Sequence, residues 1–160
     1  SGTIASNLRF GNRKADEVQL KKAAEIAQAI DFIEEKADGF DTAISQGGSN
    51  VSGGQKQRLA IARAIAKDPS VYVFDDSFSA LDMKTDAKLR KALSEKTKDA
   101  SVLIVAQRIS TIINADNILV LDEGRIVSSG KHEELLKTCD IYAQIASSQL
   151  SNKELGIEEA

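Results

Sequence analysis

Two short stretches of this chain carry residues that could do chemistry. The first is Val51-Ser52-Gly53-Gly54-Gln55, placed where a loop meets a helical pattern. Unpaired backbone N–H groups and the positive end of the helix dipole favour an anion there. The two glycines, having no Cβ, let a phosphate approach the backbone closely. Ser52 adds a hydroxyl and an N-cap, and Gln55 adds an amide able to bond a ribose or phosphate oxygen. The second stretch is Asp75-Asp76, at the end of the apolar run Val71-Tyr72-Val73-Phe74. Two adjacent carboxylates at the end of a buried strand need an ion, water or donor to compensate them. Each stretch also has a plainer reading: a serine-capped helix start for the first, and for Asp76 a helix cap or solvated loop acid.

Composition narrows the classes. The chain has 160 residues, 42% hydrophobic and 28% charged, which is ordinary for one globular domain or part of one. A net charge of −3 argues against a nucleic-acid footprint, although Lys56 to Arg63 could form a local basic patch. No run reaches the about 20 apolar residues that span a bilayer, so a membrane role needs partner segments. The lone Cys139 cannot form an internal disulfide and reads as a small buried apolar side chain in a reducing compartment. The lone His132 excludes any mechanism that needs a histidine elsewhere.

The elements that position these residues follow from pattern and punctuation. Asp16 with Gln19 predicts a capped helix whose apolar face includes Leu20, Ala23, Ala24 and Ala27. Asp31 with Glu34 predicts a second capped helix ending near Gly39, and 47–54 reads as loop. Leu59, Ala62, Ile65 and Ala66 predict a helix over 53–67, stopped by Asp68 and Pro69. Val71 to Phe74 and Val102 to Ala106 read as buried parallel strands joined through a surface helix over 85–97, a right-handed crossover unit. Ser110 is positioned to cap a short helix. Ile118 to Leu121 and Ile126-Val127 flank a hairpin turn at 122–125, helices follow near 132–137 and 141–149, and 151–160 reads as a frayed polar tail.

Alone, a Gly-Gly-Gln is weak evidence, since peptide release factors use the same tripeptide for hydrolysis. Its continuation Lys56-Gln57-Arg58-Leu59-Ala60-Ile61-Ala62-Arg63-Ala64 resembles the signature helix of the ATP-binding cassette (ABC) family. The pattern continues in order: Val71 to Asp76 resembles the Walker B strand, Ser79-Ala80-Leu81-Asp82 the loop after it, and Val105-Ala106-Gln107-Arg108 the switch region. The resemblance runs from Ser1-Gly2-Thr3-Ile4 to His132-Glu133-Glu134-Leu135-Leu136. It implies an α/β fold of the P-loop NTPase type, a helical subdomain plus part of a parallel sheet with flanking helices. Residues 1–150 would form the C-terminal part of one nucleotide-binding domain, with 1–68 the helical subdomain and 69–150 half of the core.

The resemblance also implies ATP and Mg2+ as cofactors. Asp75 would hold the metal through water, and Ser52, Gly53, Gly54, Gln55 and Asp82 would contact nucleotide. The position that normally carries a catalytic glutamate is Asp76 here, about one methylene shorter. A displacement of about 1 Å can slow a geometry-governed step by about a hundredfold. The switch position is Gln107 where active members carry histidine, and glutamine cannot titrate in its place. His132 sits at a helix start, where a cap or surface role is expected.

In this family two domains pair head to tail, so the weak Asp76 and Gln107 would serve one site and the intact signature the other. That implies a second nucleotide-binding domain as partner in a heterodimer with one degenerate site. It also implies an exporter with a transmembrane domain fused upstream, at the cytoplasmic face of a membrane, and no nucleic-acid partner. Asp41 to Gly48 resembles the surface that meets the transmembrane helices, with Gln46 where glutamate is common; a simple turn is the plainer reading.

No phosphate loop of the Gly-x-x-x-x-Gly-Lys-Ser/Thr type is present; 124–131 is the nearest approach and its spacing is wrong. The phosphate-loop strand is therefore expected to be missing between 102–106 and 118–121, and the chain alone to be inactive and prone to self-association. Two other readings compete: a soluble ABC ATPase of DNA maintenance or translation, and a non-catalytic module that completes a partner's ATP site.

Overall fold

The structure is a computed structural model and describes residues 1–151; the remainder of the expected polar tail lies outside the described residues. The elements in chain order are β1 (Gly2–Thr3), α1 (Ile4–Arg9), α2 (Glu17–Ile26), α3 (Ile30–Glu34), β2 (Ala43–Ile44), α4 (Gly53–Lys67), β3 (Val71–Asp75), α5 (Met83–Lys96) and β4 (Ser101–Val105). They are followed by α6 (Ile109–Ile112), β5 (Ile118–Asp122), β6 (Arg125–Gly130), α7 (His132–Thr138) and α8 (Asp140–Gln149). The chain divides into two compact units, one of residues 1–105 and one from Ala106 onward.

In the first unit α1 and α2 pack on α4, and their apolar stripes meet in one core. Ile4 and Leu8 from α1, Leu20 and Ala24 from α2, and Ile61, Ala62 and Ile65 from α4 are all buried there. Each large aliphatic side chain so removed from water contributes about 1.5–3 kcal/mol. Polar residues of α4 also hold the helices together. The Arg58 guanidinium lies 4.9 Å from the centre of the Phe32 ring and donates to the Gln28 carbonyl at 2.8 Å, while Arg63 lies over Phe10 at 5.9 Å. These two arginines are therefore committed to packing, not free to build the basic patch that Lys56 to Arg63 suggested.

Strands β3 and β4 pair in parallel with Val71 opposite Ser101 and Asp75 opposite Val105, joined through α5 as the pattern required. Their burial differs from expectation. Tyr72 and Phe74 enter the core beside Leu89 and Leu93, but Val71, Val73, Leu103 and Val105 are exposed. Strand β3 thus alternates between a covered and an open face, while β4 is exposed along its length except for the half-buried Ile104. The described residues form three two-stranded sheets, β1-β2 and β3-β4 in the first unit and β5-β6 in the second.

Two predicted caps are not formed. Helix α3 starts two residues earlier than expected, with Ala29 as N-cap, which puts Asp31 inside the first turn, where its charge suits the dipole without capping. Helix α6 likewise begins at Ile109 after Arg108, so Ser110 is internal to it.

The second unit is a hairpin with helices. Glu123 and Gly124 form its two-residue turn with φ of 44° and 75°, the left-handed pair that matches the twist of the flanking strands. Ile118, Val120, Leu135, Tyr142 and Ala146 form the core of this unit, and Cys139 is buried with them as expected. His132 departs from the expected surface role. It is buried, and its Nδ1 lies 2.8 Å from the Tyr142 hydroxyl, because the first residue of α7 turns inward against α8.

Candidate functional site

The start of α4 is a complete capping box. The Ser52 hydroxyl accepts from the Gln55 N–H at 3.2 Å, and the Gln55 side-chain oxygen accepts from the Ser52 N–H at 3.0 Å. Of the helix's first unpaired donors this leaves the N–H groups of Gly53 and Gly54, which have no partner among the described residues. The first turn holds no acidic residue, and Ser52 and Gly53 are exposed. Gln55 thus spends its oxygen on the cap and retains only its NH2 for a ligand.

Gly54 has a packing reason as well as a ligand reason. A Cβ placed on it would stand 3.0 Å from the Ala80 carbonyl oxygen, a backbone atom that cannot move aside cheaply. The loop after β3 is therefore pressed against the first turn of α4.

Asp75 ends β3 and Asp76 follows it, both exposed, so the buried-carboxylate penalty expected from the sequence does not arise. Asp76 still donates its N–H to the Val105 carbonyl at 3.1 Å, but its φ is 48°, left-handed backbone that turns the chain out of the sheet. Aspartate tolerates this region better than most residues. Neither carboxylate has a hydrogen-bond donor or cation among the described residues, and no group of three or more potential metal ligands is found there. An open pair of this kind suits a hard cation that keeps waters and takes its other oxygens from phosphate.

Asp82 caps α5. Its carboxylate accepts from the N–H groups of Lys84 at 3.1 Å and Thr85 at 2.9 Å, and hydrogen bonding, first from the Thr85 side chain and then from its backbone, holds its carboxyl below the usual aspartate range. Its position in the loop is as predicted, and capping is the role its side chain plays here.

In the second unit Gln107 is exposed. The side chain of Gln149 holds the backbone around it: Nε2 donates to the Gln107 carbonyl at 2.9 Å and Oε1 accepts from the Ile109 N–H at 2.9 Å. Nothing in the sequence marks this contact, since a glutamine at a helix end carries no periodic or motif signal. Gln57 stands within the signature-helix resemblance, but without an assigned role. Its amide donates to the Asp76 carbonyl at 3.1 Å and to Ser79 Oγ at 2.9 Å, and accepts from the Ala80 N–H at 2.9 Å.

Helices packed on a parallel strand–helix–strand pair make the first unit an α/β domain. The family described as ABC transporter matches residues 2–79. An uncharacterized ABC transporter ATP-binding protein of Mycobacterium tuberculosis is 46% identical, covering 98% of this chain and 27% of its own length. The ATP-dependent lipid A-core flippase of Aliivibrio fischeri is 45% identical over 89% of this chain and 25% of its own length. The β-(1→2)glucan export ATP-binding/permease protein NdvA of Rhodopseudomonas palustris is 46% identical over 92% of the chain and 24% of its own. Among solved structures, a bacterial Atm1-family ABC exporter with ATP bound superimposes with a TM-score of 0.90 at 36% identity, covering 94% of this chain and 26% of that one. The chain belongs to the ABC transporter family as a stretch of its nucleotide-binding domain, and it is homologous to the ATP-binding portions of exporters. It spans about a quarter of the length of the relatives it matches.

Proposed function

We propose that this chain is part of the ATPase subunit of an ABC exporter, in which ATP binding and hydrolysis drive transport across a membrane. The observation that carries the proposal is the start of α4, where Gly53 and Gly54 present unspent N–H groups at an exposed, acid-free helix end. That end would seat the terminal phosphate of a nucleotide, with Ser52 adding its hydroxyl and Gln55 its NH2. The magnesium ion of bound ATP would neutralise charge developing on the phosphates. Asp75 would hold that ion through water, and Asp76 would orient or accept a proton from the attacking water. The relatives' names, flippase and export ATP-binding/permease protein, support an exporter at the cytoplasmic face of a membrane. No helix among the described residues is long and apolar enough to cross a bilayer, so the spanning segments would be supplied from outside this stretch.

In the finer reading, the phosphate loop also comes from outside this stretch, and the isolated 160-residue chain is inactive. The signature end of α4 serves a nucleotide held by a second nucleotide-binding domain, whereas Asp76 and Gln107 serve the chain's own, weakened site. Asp82 lies in the loop that would cross the dimer, and the assembly is a heterodimer. Joining Asp76→Glu with Gln107→His in the intact transporter should raise ATP turnover at the weak site by about tenfold or more. Unchanged turnover in the single and double variants would rule out chemistry at these positions as the limitation. A closed, ATP-loaded assembly with Ser52 far from any phosphate would overturn the reading as a whole.

A further inference from the structure

We propose that Gln57 is a positioning residue that straps the loop after Asp76 to the phosphate-facing helix, so that the start of α4 and the backbone of Asp76 move as one body. The inference rests on the function proposed above in calling these two places nucleotide-facing and in pairing two such domains.

Gln57 lies on α4 just beyond the capping box and takes no part in it. All of its amide's bonding is directed at one loop. Nε2 donates to the Asp76 carbonyl at 3.1 Å and to Ser79 Oγ at 2.9 Å, while Oε1 accepts from the Ala80 N–H at 2.9 Å. Ser79 Oγ in turn donates to the same Asp76 carbonyl at 3.1 Å, which closes a small ring of bonds. The partners stand 19 to 23 residues away in sequence, so this is a tertiary contact and not a local turn. The close approach of Ala80 to Gly54 presses the same loop on the same helix at a second point.

The geometry has a direct consequence. Asp76 adopts φ of 48°, and the carbonyl that Gln57 holds belongs to Asp76 itself. Holding that carbonyl fixes the peptide plane after Asp76 and, with the Asp76 N–H bonded to the Val105 carbonyl, the direction of the Cα–Cβ bond that carries the carboxylate. A pull on the first turn of α4 by an anion is then passed to the carboxylate through one side chain. In a paired assembly the two ends face different nucleotides, so the strap links one site to the other.

The test uses the intact transporter with two variants. Gln57→Leu removes all three bonds, while Gln57→Glu keeps an acceptor for Ala80 and loses the NH2 donors. Without nucleotide, amide hydrogen exchange over 76–82 should run about tenfold faster in Gln57→Leu, with Gln57→Glu intermediate and exchange over 58–67 unchanged. With ATP, kcat should fall about tenfold with KM within about twofold, and cooperativity in ATP should weaken. Wild-type exchange over 76–82 in Gln57→Leu would overturn the proposal. So would equal loosening of 58–67, which would make Gln57 a general support of the helix. An exchange result as expected, in a wild-type protein that hydrolyses no ATP, would keep the strap and sink the proposed function instead.

Discussion

Helices α2 and α4 begin with the same device, a capping box of Asp16 with Gln19 in one and Ser52 with Gln55 in the other. In both, the N-cap side chain accepts from the N3 backbone and the N3 glutamine returns a bond to the N-cap. What differs is the charge around it. Helix α2 starts with an aspartate followed by Glu17, so its own carboxylates face the positive end of the dipole. Helix α4 starts with a neutral serine and two glycines, leaving the same field unanswered. Equal capping geometry thus stabilises two helices while only one is prepared to receive an anion.

The sharpest way to break this comparison is to give α4 the first turn of α2. Gly53→Glu places a carboxylate where Glu17 stands in α2, and the nearest atom to a Cβ there, Ala80 Cβ at 3.7 Å, is at ordinary contact distance. Steady-state ATP turnover of the intact transporter should fall by about a hundredfold or more. The melting temperature should hold or rise slightly, because a first-turn carboxylate favours a helix by about 0.3–1 kcal/mol. Undiminished turnover would remove the helix start from the nucleotide site.

A smaller effect separates capping from function. Ser52→Ala and Asp16→Ala should each cost about 1 kcal/mol in thermal or denaturant unfolding. Only Ser52→Ala should also slow ATP turnover, by about tenfold, through the lost hydroxyl. Equal turnover in the two variants would mean that Ser52 does no more than Asp16.

The smallest effect lies at the other end of α4, where Asp68 in left-handed backbone meets Lys96 at 2.6 Å. The hydrogen bond to Asp68 holds the Lys96 ammonium above its ordinary value of 10.5. Its contribution is fully present below that value and is lost as pH rises through the raised one. Tyr72, raised first by burial and then by Asp68, loses its contribution in the same alkaline window. Asp68→Asn should therefore lower stability by about 0–1 kcal/mol at neutral pH, because the pair is partly exposed, and the sign should reverse in strong alkali, where Lys96 is neutral and an ionised Tyr72 is relieved of the Asp68 charge. Chemical denaturation across that range checks the sign.

Local rules made much of this legible. Asp16-x-x-Gln19 and the stop at Asp68-Pro69 are encoded by neighbours in sequence, and both boundaries stand where the pattern put them. The order of Ser52, Asp75 and Gln107 along the chain was enough to suggest the family. What stayed hidden depends on distant parts of the chain. Val71 and Val73 have the same composition whether one face of their strand is covered or both are. Asp31 and Ser110 look like caps until packing shifts each helix start by two residues. Gln57 and Gln149 find their partners across the fold, and no spacing announces an amide that will clamp a loop.

The left-handed turn at Asp76 gives that position two masters. Any replacement must first live with a positive φ, which glycine and asparagine accept readily and β-branched side chains resist. Lengthening the side chain to glutamate trades some of that backbone ease for reach. Variation at residue 76 is thus filtered by conformation before it is filtered by chemistry, and a loss of turnover there reports on both.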